Sequence, residues 1–127
     1  MTTNKHNELI RDSLVRYRFC ELLGNNHGST ADTSELFTMG LFSLIDAIMD
    51  DSMENLMSQI PLSSKIKEVL ISRTGDLNGY LSLIESYEKG DLEEIDQAAT
   101  ILGIDEGDLP RYYMESLGWA DSLNVLQ

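Results

Sequence analysis

Apolar residues recur along this chain at helical spacing, and start and stop signals divide it into about seven helices. The first is expected from Asn7 to Leu23, ending at Gly24 before the loop Asn25-Asn26-His27-Gly28-Ser29. Asp32 or Thr33 opens the second, with Glu35 placed to complete a capping box on Asp32, and the pattern extends to Met49. A short third helix begins at Asp51 or Ser52 and stops before Pro61, where the hydrogen-bond ladder cannot continue. Ser63 caps a fourth helix through Ile71, and Asp76 caps a fifth that Gly90 ends. Asp91 caps a sixth, with Glu94 three residues on and Gly103 at its end. Asp108 caps the last, with Pro110 in the first turn, where a missing N–H does no harm.

The faces of these helices give the expected packing. Leu77, Tyr80, Leu81, Ile84 and Tyr87 fall on one half of the fifth helix, opposite Asn78, Ser82, Glu85 and Lys89. The sixth repeats the design with Leu92, Ile95, Ala98, Ala99 and Leu102, and the seventh with Leu109, Tyr112, Tyr113, Leu117 and Ala120. The second is apolar around most of its axis, with Glu35, Ser43 and Asp46 as a narrow polar sector. It is therefore expected to be the central helix. Gly40 within it predicts the close approach of a neighbouring backbone, since glycine otherwise costs helix stability. The first helix carries two apolar sectors, one of Leu9, Ile10, Leu14, Tyr17 and Cys20, the other of Val15, Phe19, Leu22 and Leu23. Such a helix is sandwiched, or presents one face to another segment or chain. Nothing alternates with period two over a useful length, so the fold class is all-α, an irregular bundle in one domain over residues 1–127.

Composition adds the setting. No apolar run reaches the roughly 20 residues of a membrane span, and the first residues lack a signal-peptide core. The single cysteine, Cys20, lies in an apolar helical pattern, so a small buried hydrophobe and a reducing, cytoplasmic location are expected. The formal charge of −13 is uneven, with residues 1–24 at +1 and the remainder at −14. That field opposes nucleic acid and anionic membrane surfaces as partners, and it serves solubility or the steering of a basic partner.

Chemistry-bearing residues are sparse. His6 and His27 stand outside any HxxxH, HExxH or HD pattern and read as solvated surface histidines. There is no GxSxG elbow, Walker loop, GxGxxG or calcium-loop spacing. The pairs Asp50-Asp51 and Glu93-Glu94 sit at helix starts, where the macrodipole favours carboxylates. Asp105-Glu106-Gly107-Asp108 reads as a turn and cap. Tyr80, Tyr87, Tyr112, Tyr113 and Trp119 lie on apolar stripes and are expected in the core. Met53 and Met57, one turn apart, fill a core or form an adaptable binding surface.

The middle of the chain resembles a known family. Glu35-Leu36-Phe37-Thr38-Met39-Gly40-Leu41-Phe42-Ser43-Leu44-Ile45-Asp46-Ala47 is similar to a stretch of the HDOD family, the HD-related output domains. The likeness continues through Met53 and Leu56, the Ile60-Pro61-Leu62-Ser63 turn, Ile66, Leu70 and the junction Tyr87-Glu88-Lys89-Gly90-Asp91. Upstream, Arg18-Phe19-Cys20-Glu21-Leu22-Leu23 resembles the helix that precedes this block. The resemblance covers about residues 16–92, is to the C-terminal part of the domain with two helices beyond, and is nearest to the variety joined to an EAL cyclic di-GMP phosphodiesterase module. Catalytic HD-fold hydrolases carry a metal-binding His-Asp pair after a Gly-Leu-Leu segment. Aligned on Gly40-Leu41-Phe42, those places hold Ser43 and Leu44, a poor ligand and none.

The resemblance implies an HD-like helical scaffold that has lost its metal dyad: a non-catalytic bacterial signal-transduction module related to cyclic di-GMP proteins, with no cofactor or metal. Its partner is expected to be another protein or an adjacent, EAL-type domain of the same chain, contacted through Val15, Phe19, Leu22, Met53 and Met57. A homodimer through the first and third helices is an alternative use of that surface. The rival function is a cryptic nucleotide-binding or hydrolytic domain built on Glu35, Ser43 and Asp46.

Overall fold

The computed structural model describes residues 2–26 and 32–123, and the expected loop at His27 lies outside them. Among the described residues there are eight α-helices, one 3-10 turn and no strand. The helices are α1 (Thr2–Asn26), α2 (Thr33–Phe42), α3 (Ile45–Met49), α4 (Met53–Met57), α5 (Ser64–Ser72), α6 (Asn78–Lys89), α7 (Leu92–Leu102) and α8 (Leu109–Ser122). The all-α expectation is met.

Local signals account for most of the boundaries. The Asp32 carboxylate accepts from the Ser34 N–H at the start of α2, Ser52 accepts from Asn55 N–H at α4, and Ser63 from Ile66 N–H at α5. Asp91 accepts from the Glu94 N–H at α7, while Gly90 and Gly103 close α6 and α7 in the left-handed conformation, at φ 72° and 71°. Residues Glu106–Asp108 form the 3-10 turn, with the Asp105 carboxylate accepting from Gly107 N–H.

Four expected helix boundaries need correction. Gly24 does not end the first helix, which runs on to Asn26; a Cβ at Gly24 would lie 2.8 Å from Thr33 Oγ1, so this glycine admits the start of α2. The second expected helix breaks at Ser43–Leu44 into α2 and α3. Asp76 is not the cap of α6: Leu77 holds that place without a side-chain bond, and its own side chain is 2% exposed. Asp108 occupies the cap position of α8 without capping it, and binds Arg111 at 3.2 Å instead.

The centre of the bundle is α1, not the second helix. It packs against α2, α3 and α8, and its Phe19, Cys20 and Leu23 are fully buried. On α2 the buried residues are Leu36, Met39 and Gly40, while Phe37 and Phe42 are only partly covered. The two helices meet where Gly40 was expected to allow it. A Cβ there would stand 2.7 Å from the Arg16 carbonyl oxygen and 2.9 Å from Cys20 Sγ. Aromatic rings join α1 to its neighbours: Tyr17 stacks on Trp119 of α8 at 5.5 Å, and Phe19 meets Tyr87 of α6 and Tyr113 of α8 edge-on. Helix α7 is peripheral, lying on α6 with Ile95 and Ala99 inward.

Candidate functional site

The α2–α3 break is the most chemically organised place in the described fold. Ser43 is 6% exposed, and its hydroxyl donates to the Gly40 carbonyl at 2.7 Å, a back-bond that competes with the helix ladder. Arg16, one turn before Cys20 on α1, reaches the same hydroxyl with Nη1 at 2.9 Å. Its Nε and Nη2 grip both carboxylate oxygens of Glu88 on α6 at 3.0 and 2.6 Å. The guanidinium is thereby shared between the helix break and the end of α6. Burial disfavours its charge, but the hydrogen bonds and negative charge of Glu88 outweigh that, and its pKa is raised.

Groups around this clamp respond to it. Burial, then the charge of Glu88, raises the Asp12 pKa, and both act on Tyr113 in the same direction. Beyond them Arg11 binds Asp121 of α8 at 2.9 Å, raising the arginine and lowering the carboxylate. Cys20 lies beneath the clamp, and burial pushes its thiol up to about 12.

The residues of the rival hydrolytic site each have a partner of their own. Glu35 accepts from the Ser63 hydroxyl at the start of α5, at 2.8 Å. Ser43 is buried under Arg16. The Asp46 carboxylate accepts from the Ala47 N–H at the first turn of α3, at 2.9 Å. Among the described residues no three His, Cys, Asp or Glu side chains converge as a metal-binding group.

The expected interaction surface is corrected too. Val15, Phe19, Leu22 and Met57 are between 0% and 8% exposed and belong to this chain's own core, with Met53 packed against it. In the second apolar sector of α1, Phe19 meets Tyr87 of α6 and Tyr113 of α8, so this sector is buried rather than left free. Of the histidines, His6 is exposed beside a small groove with Lys5, Leu9, Ala47 and Asp50, and His27 lies outside the described residues.

Arg16 and Glu88 are what sequence reasoning missed. The available signal was a lone arginine next to Val15 and one turn from Cys20, on a helix otherwise read as apolar at those positions. Its partner is 72 residues away, so no local spacing joins the pair.

Fold and site together define an all-helical chain organised, among the described residues, around a buried arginine clamp. Comparison with known proteins supplies relatives. The chain is 34% identical over 126 residues to the cyclic di-GMP phosphodiesterase CdgJ of Vibrio cholerae serotype O1 (strain ATCC 39315 / El Tor Inaba N16961), a match covering 99% of this chain and 29% of that protein. It is 27% identical over 121 residues to the uncharacterized protein YuxH of Bacillus subtilis (strain 168), covering 95% of this chain and again 29% of the relative. The chain thus spans less than a third of the length of either relative. No family model and no solved structure matches it. No helix among the described residues is long and apolar enough to cross a membrane.

Proposed function

We propose that this chain is a non-catalytic signal-transduction module of a bacterial cyclic di-GMP signalling protein, of the HDOD kind, and that it acts through protein–protein contacts. The link to cyclic di-GMP rests on the similarity to CdgJ along almost the whole of this chain. Because that match covers 29% of the relative, the phosphodiesterase chemistry is assigned to the portion that has no counterpart here. An adjacent catalytic domain, of the EAL type that the resemblance implies, is then the natural first partner.

The observation that carries the non-catalytic half is the Arg16 guanidinium 2.9 Å from Ser43 Oγ. Ser43 stands where the resembled hydrolases need the first residue of a metal dyad. The guanidinium occupies this hydroxyl as a fixed cationic donor, in the place a metal ion would need. Glu88 already neutralises this cation with both oxygens, so the pocket's charge is balanced without a metal. The helix break, clamped to α1 and α6, serves instead as a rigid joint through which packed helices shift together.

Calorimetric titration of the purified chain with cyclic di-GMP and common nucleotides, with and without Mg²⁺ or Mn²⁺, tests this. The expected outcome is no saturable heat at about millimolar ligand, a threshold equivalent to about −4 kcal/mol. Tight, metal-dependent binding that Glu35→Ala or Asp46→Ala removes would restore the hydrolytic reading.

A further inference from the structure

Helix α7 has two unlike faces. Ile95 and Ala99 point into the core, whereas Glu94, Ala98 and Ile101 fall at i, i+4 and i+7 on a second stripe. That stripe and Gly79 and Ser82 of α6 line a groove of about 460 Å³. Ile101, a large apolar side chain on its edge, is 82% exposed. Among the described residues α7 packs chiefly on α6 and the 3-10 turn; Ala98 is partly buried against the core and Glu94 accepts from the Ser86 hydroxyl at 3.1 Å, which leaves Ile101 as the exposed apolar part of the stripe.

The helix that carries the groove lies in an acidic part of the chain. From Gly90 to Pro110 there is no Lys or Arg, while Asp91, Glu93, Glu94, Asp96, Asp105 and Glu106 are all present and all exposed. An exposed isoleucine, Glu94 on the groove wall and the exposed carboxylates elsewhere on and beside α7 match one kind of occupant. We infer that the α6–α7 groove docks an amphipathic, Lys/Arg-rich helix of a partner protein, with apolar side chains on Ala98 and Ile101 and its cations facing the acidic surround. A second copy of this chain is disfavoured, because each copy carries −13. An anionic lipid surface is repelled for the same reason.

This proposal rests on the protein-contact reading and names its surface. The test is an NMR titration of the isotopically labelled chain with a synthetic helical peptide of Leu, Ala and Lys, about 18 residues long so that its helix is stable. Saturable shifts along Gly79, Ser82, Ala98 and Ile101 are expected, weakening with salt as exposed charge pairs are screened. Ile101→Lys weakens binding by at least about tenfold, while Met114→Lys, exposed on α8, leaves it unchanged. A peptide with Glu in place of Lys does not bind. Equal affinity of the Ile101→Lys chain, binding of the acidic peptide, shifts centred elsewhere, or no shift up to about 1 mM peptide would each overturn the proposal. The two readings fail separately: metal-dependent turnover removes the non-catalytic role, whereas basic-peptide binding on α1 or α8 removes only this groove.

Discussion

Gly40 and Arg16 hold the same crossing from opposite sides. Adding a methyl group at Gly40 puts it 2.7 Å from the Arg16 carbonyl, where neither helix backbone can yield cheaply. Gly40→Ala is therefore expected to destabilise the chain by about 2–3 kcal/mol despite alanine's better helix propensity, measurable by urea denaturation. Arg16→Met leaves Glu88 without its bidentate partner and Ser43 without a donor, and is expected to cost about 2–4 kcal/mol. Arg16→Lys recovers less than half of that, because one ammonium cannot serve both groups in the guanidinium's fork geometry. The thiol beneath gives a pH signature. Cys20's folded pKa is raised from 9.0 to about 12, so the stability of its buried protonated form is complete below pH 9. It is lost as pH rises through about 12. Iodoacetamide at pH 8 should leave Cys20 unmodified in the folded chain and label it in urea; rapid native labelling would contradict the burial. Of these residues, Gly40 was legible because a glycine inside an apolar helical run costs stability unless a neighbouring backbone needs the space. The Arg16–Glu88 pair was not, because two charges far apart in sequence carry no shared periodicity.

Caps separate what is readable at the scale of elements from what is not. Where a side chain bonds its own helix start, as Ser52, Ser63 and Asp91 do, the sequence marked the boundary. Where tertiary packing sets the start, it misled. The chain enters α6 through a turn at Gly75, with Asn78 N–H on its carbonyl, and buried Leu77 fixes the entry. A paired test follows: Asp91→Ala is expected to cost about 1 kcal/mol by loss of its cap bond, whereas Asp76→Ala costs less than about 0.5 kcal/mol. Equal losses in thermal melts would show that the assignment of the two aspartates is wrong. Periodicity also could not see the break between α2 and α3, since the apolar pattern continues through it. The local hint was Ser43, whose hydroxyl takes the Gly40 carbonyl. Glu35, Ser43 and Asp46 are each bonded to a different group, and Val15, Phe19 and Leu22, expected on a free surface, are buried in the core.

Across the whole molecule, charge and topology separate two regions. The helices around α1 carry the aromatic contacts and the clamp, while α7 and the turn after it form an acidic flank lying on α6. For this chain, similar to part of a cyclic di-GMP phosphodiesterase, the role we propose is to relay packing changes without catalysis, and the commitment of Arg16, Glu88 and Ser43 to one another supports it. Hydrolysis of cyclic di-GMP by the purified chain, followed chromatographically with Mg²⁺ and with Mn²⁺, tests that claim most directly. The account predicts product formation no faster than in buffer with either metal. Turnover that requires metal and disappears on chelation would contradict it.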